Sequence, residues 1–197
     1  DPARASVLRQ NLERMGVKNA VVSSVYPEVL AEKLEGYFDR VIVDAPCSGE
    51  GMFRRDPQPI AEWSPAHVEA CAARQLAILG SAARCVREGG VLVYSTCTFS
   101  EEENEGVVRA FLRENPGFVL EKPDVAFGRP AYGVEAVRIF PMDGGEGHFA
   151  ARFRRTAPNG YAARPYDEKP DRQTEAAAQT FCASVFTDWK ADRFARV

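Results

Sequence analysis

Histidine is scarce in this chain, with two in 197 residues, and no two of its five cysteines stand at zinc-knuckle spacing. A metal site is therefore not expected. An odd number of irregularly spaced cysteines also excludes a disulfide framework. No apolar run reaches membrane-spanning length and no signal peptide is recognisable, so the cytoplasm is the expected compartment. Internal repeats and low-complexity tracts are absent. Neither sign of charge dominates, since 25 Lys and Arg face 28 Asp and Glu for a formal net charge of −3. What remains, 45% hydrophobic and 27% charged, is the composition of a globular protein. Its length suits one ordinary domain and the start of another.

Two segments carry the chemistry. A β-branched run at residues 41–43 predicts a buried strand, and it ends on Asp44, Pro46 and Cys47 before breaking into Gly49 and Gly51. Residues 91–94 repeat the design and lead into Ser95-Thr96-Cys97-Thr98-Phe99. Ligands in open α/β sheets bind outside the carboxyl ends of strands, so both cysteines fall where chemistry is usually done. Alternating strand and helix signals predict an α/β sheet with helices on both faces.

The run Asp44-Ala45-Pro46-Cys47-Ser48-Gly49-Glu50-Gly51-Met52-Phe53-Arg54-Arg55-Asp56-Pro57 resembles the fourth motif of the Nol/Nop/Sun-type RNA cytosine-C5 methyltransferases. Tyr94-Ser95-Thr96-Cys97-Thr98-Phe99-Ser100, with Glu102-Glu103-Asn104-Glu105, resembles the sixth. Arg138-Ile139-Phe140-Pro141 and Gly144-Gly145-Glu146-Gly147-His148-Phe149 resemble the last. Within the family the chain is most similar to the bacterial enzymes that modify small-subunit ribosomal RNA, over residues 1–155. The resemblance implies the class I, Rossmann-like methyltransferase fold with a mostly parallel sheet, S-adenosylmethionine as cofactor, and ribosomal RNA or the small ribosomal subunit as partner. It also implies a monomeric enzyme. Cys97 would be the nucleophile that adds to cytosine C6, and Cys47 would assist product release. Asp44 would bind the cytosine N3/N4 edge and contribute to the cofactor site, and Pro46 would shape the base pocket and the cofactor rim. Arg54 and Arg55 read equally as RNA phosphate contacts or as a solvated charge pair.

The family's cofactor site needs a Gly-rich turn after its first strand and an acid ending its second, and the resemblance puts both before Asp1. The sheet is accordingly expected to be incomplete on its N-terminal side, with the main cofactor motif outside this chain and the chain itself inactive alone. Where the family often has a third acid, this sequence reads Ser23-Ser24-Val25.

In order, Asp1-Pro2 caps a helix with Ala5, Leu8, Leu12 and Met15 on one face and Gly16 as its stop. Val21-Val22 reads as a short strand and residues 27–34 as a helix. Residues 49–63 read as loop. Ser64-Pro65 opens a long helix with Val68, Ala72, Leu76, Leu79 and Ala83 inward, stopped by Gly89-Gly90. Ser100 and Glu103 have capping-box spacing ahead of Val107, Val108, Phe111 and Leu112. Residues 118–120 and 149–153 are expected to form an antiparallel pair at the sheet edge. Residues 156–173 read as a linker, and 174–197 as an amphipathic helix leading to a C-terminal RNA-binding module. Cys71, Cys85 and Cys182 read as small buried hydrophobes within helices, and His148 as packing or loop support.

Two other functions compete with the RNA enzyme. A DNA cytosine-C5 methyltransferase would use the cysteine of the Pro46-Cys47 pair as nucleophile. A catalytically silent RNA-binding or assembly protein of methyltransferase ancestry would use neither thiol. The Thr96-Cys97 motif favours RNA over DNA, and retention of both cysteines with Asp44 favours catalysis.

Overall fold

The β-branched and aromatic residues of the two motif strands pair as the sequence predicts. β1 (Phe38–Asp44) lies parallel to β2 (Val86–Thr96), with Val41 opposite Leu92 and Asp44 opposite Ser95. The computed structural model describes residues 1–158 and 172–185, which divide into two units, Asp1–Tyr161 and Ala162–Val197. Everything but the last helix below belongs to the first.

Strand β6 (His148–Arg155) runs antiparallel to β2 and is the hub of the sheet. On its other side it pairs with β3 (Phe118–Glu121) and with β5 (Val137–Ile139), which carries the two-residue β4 (Arg129–Pro130). β3 and β6 form the antiparallel pair expected, and β6 is interior because β2 lies on one side of it and β3 and β5 on the other. Among the described strands the one parallel pairing is β1 with β2 and the four others are antiparallel, so this part of the sheet is not the mostly parallel one expected. β1 itself is an edge of the sheet, so residues 41–43 are not uniformly buried: Val43 is covered and Ile42 is 74% exposed.

Helix α1 (Pro2–Arg14) begins at the Asp1 cap, whose carboxylate accepts from the amides of Ala3 and Arg4. Its apolar face is not buried, and Leu8 and Met15 lie open. Val21-Val22 forms no strand; Val21 is 97% exposed, with no neighbouring strand to take up its backbone groups. Helix α2 (Pro27–Lys33) follows. The stretch between the motifs is not wholly loop, since it holds a 3-10 turn at Glu50–Met52 and the short helix α3 (Gln58–Glu62).

Helix α4 (Pro65–Cys85) starts where the Ser64 hydroxyl accepts the His67 amide. It ends at Cys85, four residues before Gly89, and Gly89-Gly90 instead sits inside a bulge at the start of β2. A side chain at Gly90 would meet the Arg87 carbonyl at 2.8 Å, so glycine serves the bulge rather than the helix end. A π turn at Glu102–Gly106 then opens α5 (Val107–Glu114), which buries Val107, Val108 and Phe111. These pack with Leu79, Leu92, Tyr94, Phe149 and Phe153 in one core between the helices and the sheet. In the second unit α6 spans Arg172–Val185, with Phe181 exposed. The expected helical residues Phe186, Trp189 and Phe194, and most of the expected linker, lie outside the described residues.

Candidate active site

Parallel pairing of β1 and β2 brings their carboxyl ends side by side, and the residues just beyond each strand meet. The Ala45 amide donates to the Ser95 carbonyl at 2.9 Å and the Gly51 amide to the Cys97 carbonyl at 2.9 Å. Gly51 has to be a glycine, since a Cβ there would lie 2.9 Å from the Cys97 carbonyl and 2.5 Å from that of Gly147. This close approach sets the Cys47 and Cys97 sulfurs 3.0 Å apart, with the Cys97 amide donating to the Cys47 sulfur at 3.3 Å. Both thiols are free and half-buried.

At that separation one thiol hydrogen-bonds the other, and the two ionise as a pair. Cys97 is the acidic member: the bond from the Cys47 thiol lowers it to about 7, against burial and the nearby carboxylates of Asp44 and Glu103. Cys47 moves the opposite way, raised first by its bond to Cys97 and then by burial. The thiolate is the nucleophilic form of cysteine, and of this pair Cys97 is the sulfur that gives up its proton more readily.

Asp44 and Pro46 are exposed at the end of β1. The Asp44 carboxylate accepts one long bond, 3.3 Å from the Ser95 hydroxyl, leaving lone pairs free to receive a ligand's N–H groups. The expected residues Cys97, Cys47, Asp44 and Pro46 thus share one strand-end site. The arginines part company. Arg55 pairs with Glu146 at 2.8 Å, whereas Arg54 is exposed with no ion pair among the described residues. His148 is exposed at the start of β6, so it does not pack.

Behind the thiols lies a polar layer that sequence reasoning largely missed. Glu103, expected as half of a capping box, does donate its amide to the Ser100 hydroxyl at 3.3 Å. Its carboxylate, however, turns inward to the Ser48 amide at 3.0 Å and to Gln75 at 2.7 Å. Glu50 ties the two motifs together, accepting the Trp63 indole N–H at 2.8 Å and the Phe99 amide at 3.0 Å. Thr96 donates to Asn104 at 2.6 Å, and Arg138 grips Glu105 and the Phe99 carbonyl. One signal could have found Gln75: it is a polar residue at a core position of the α4 apolar stripe, between Val68 and Leu79.

The family model described as 16S rRNA methyltransferase RsmB/F matches residues 1–154. The chain belongs to that family. Its relatives include the ribosomal RNA small subunit methyltransferase F of Erwinia tasmaniensis, 39% identical over 79% of this chain and 34% of the relative. The protein of the same name from Klebsiella pneumoniae is 36% identical over 93% of this chain and 41% of its own length. Among solved structures, NSun6 from Pyrococcus horikoshii, crystallised with SFG, superposes with a TM-score of 0.70 at 34% identity, over 80% of this chain and 40% of that one. A methyltransferase homolog protein from the same organism gives 0.62 at 30% identity, over 79% and 51%. The RsmB/F chain described here thus has the Rossmann-like fold of the Sun-type methyltransferases, as its motifs implied. It spans about a third to two fifths of the length of the curated relatives it matches.

Proposed function

We propose that this chain carries the catalytic thiols of an S-adenosylmethionine-dependent ribosomal RNA cytosine-C5 methyltransferase. The observation that carries the reading is the Cys47–Cys97 pair, 3.0 Å between sulfurs, with Cys97 the acidic member beside Asp44. Cytosine C5 is too weak a nucleophile to take a methyl group unaided. Addition of the Cys97 thiolate to C6 forms an S–C6 bond and moves the C5–C6 π electrons onto the ring, leaving C5 nucleophilic. Asp44 holds the N3/N4 edge of the base, and Pro46 shapes the pocket wall. S-adenosylmethionine, when bound, supplies the electrophilic methyl group. Loss of the C5 proton then returns its electron pair to the C5–C6 bond and expels Cys97, a release that Cys47 assists.

The exposed Asp44 carboxylate and the neighbouring Pro46 suit the rim of a cationic cofactor, and SFG in the archaeal neighbour marks this fold as a ligand-binding one. The names of the relatives point to ribosomal RNA of the small subunit as the partner and, in bacteria, to the cytoplasm as the place of work. Arg54 is the arginine available to an RNA phosphate, while Arg55 serves the loop through Glu146. The target cytosine must be single-stranded or flipped, because C6 is shielded in a stacked helix. Among the described residues no helix is long and apolar enough to cross a membrane.

Cysteine substitutions in the complete gene product test this. With radiolabelled RNA on denaturing gels, Cys97→Ala should abolish methyl transfer and Cys47→Ala should accumulate a covalent RNA adduct. Exchange of the two phenotypes would assign the nucleophile to Cys47, as in the DNA enzymes, and methylation that survives Cys97→Ala would overturn the reading.

A further inference from the structure

Two fully buried polar side chains behind the thiols have no part in the roles above. Gln75 leaves the apolar stripe of α4 and donates to the Pro46 carbonyl at 2.9 Å and to Glu103 Oε2 at 2.7 Å. Its own oxygen accepts the Tyr94 hydroxyl at 2.9 Å. Glu103, equally buried, accepts the Ser48 amide through the same Oε2 at 3.0 Å. The residues on either side of Cys47 are therefore each held from behind by this one pair of side chains. A buried carboxylate is a costly way to accept two N–H bonds, since the amide oxygen of a glutamine would accept both without a charge. Glu103 Oε1 is moreover buried with no hydrogen-bond partner among the described residues. The two bonds alone therefore do not require a charge at this position.

We propose that Gln75 and Glu103 are positioning residues for the reaction, a clamp that fixes the Pro46-Cys47-Ser48 turn and so keeps the Cys47 sulfur within reach of Cys97. The inference deepens the proposed function and rests on it for the meaning of the two thiols. The charge of Glu103 adds a counterweight. The ionisable groups that act on Cys97 are Cys47 from the β1 turn, Asp44 from β1 and Glu103 from the π turn, and the two carboxylates oppose its ionisation. Burial first, and then the Glu103 charge, also raise Tyr94 of β2 and Cys71 of α4. Loosening the clamp and removing the charge should then move Cys97 in opposite directions.

Alkylation of the full chain by iodoacetamide across pH, read cysteine by cysteine by peptide mass spectrometry, tests this. Gln75→Leu and Glu103→Leu release the turn, so the Cys97 midpoint should rise toward that of Cys47→Ala; one unit upward cuts its ionised fraction at pH 7 about fivefold. Glu103→Gln keeps both bonds and removes the charge, so the midpoint should stay or fall. In methylation assays of the complete gene product, Gln75→Leu should lower kcat while KM for RNA holds, and Glu103→Gln should restore most of what Glu103→Leu loses. Cys85, buried at the far end of α4, reports folding through its own protection. If it reacts in a leucine variant, Gln75→Asn, which keeps the amide but shortens its reach, decides instead. A Cys97 midpoint unchanged in Gln75→Leu, or in that replacement, overturns the clamp. So does a rise in Glu103→Gln matching that in Glu103→Leu. Shifted midpoints with methylation that survives Cys97→Ala would sink the catalytic reading and leave the clamp standing.

Discussion

A thiol that ionises near pH 7 gives a specific pH signature. With Cys97 as the proposed nucleophile, adduct formation should rise with pH and level off above about 7, where its proton is lost. Removing Cys47 removes the main cause of that acidity, so Cys47→Ala should shift the rise to higher pH; an unshifted profile would mean that the bond between the sulfurs does not act in solution. Gly51 makes a second test. Alanine there meets two backbone carbonyls, which cannot swing away as a flexible side chain would. The substitution should cost about 1–3 kcal/mol in urea unfolding and slow adduct formation by displacing the Cys97 loop. At Arg54 and Arg55 the sequence left two roles balanced, and the structure separates them by one contact. Arg54→Ala should flatten the salt dependence of RNA binding by about one ion, while Arg55→Ala should leave the slope unchanged and loosen the loop at Glu146. The thiols, Asp44 and Pro46 were legible because each motif is local in sequence. Gln75 and Glu103 were not, because the bonds that join them to each other and to Pro46 and Ser48 span 28, 29 and 55 residues of chain.

Elements with local signals formed where the sequence placed them: α1 at its Asp1 cap, α4 at Ser64, and β1 beside β2. Elements whose fate depends on a partner did not. Val21-Val22 has strand propensity but pairs with none of the described strands, and 149–153 gains β5, only three residues long, besides the β3 partner that the sequence predicts. What holds β5 there is largely a buried ion pair. Arg138 binds both oxygens of Glu105, donates to the Phe99 carbonyl at 2.9 Å and stacks 4.4 Å over the Tyr132 ring. It therefore fastens β5 to both the π turn and the Cys97 loop. Arg138→Met strands the Glu105 charge in the core and should lower stability by about 3–5 kcal/mol. The double variant Arg138→Met with Glu105→Leu removes both charges and should recover part of that loss in a urea titration. Equal losses in the single and double variants would show that packing, not the stranded charge, sets the cost.

Across the whole first unit, apolar burial is lopsided. The core lies on the side of β2, β6, α4 and α5, whereas β1 ends the sheet, with no described strand on its outer side. Ile42 is 74% exposed there, Val21 97%, and α1 leaves Val7, Leu8 and Met15 open. Natural edges are commonly blunted by inward charges, prolines or bulges, because an open edge with apolar side chains recruits another strand. β1 has only part of this protection: Asp39 and Arg40 sit at its start and Asp44 at its end, and the irregularity in its pairing lies between Phe38 and Arg40, away from Ile42. Purified as 197 residues, the chain should therefore self-associate as its concentration rises. Ile42→Lys places a charge on the exposed face of the edge strand without touching the buried face at Val43, so it should shift sedimentation velocity toward monomer. Ile42→Thr keeps the β-branch and strand propensity while reducing apolar surface, and should give an intermediate result. If Ile42→Lys and the parent chain sediment alike at every concentration, association does not run through β1, and the open face of α1 becomes the surface to substitute next.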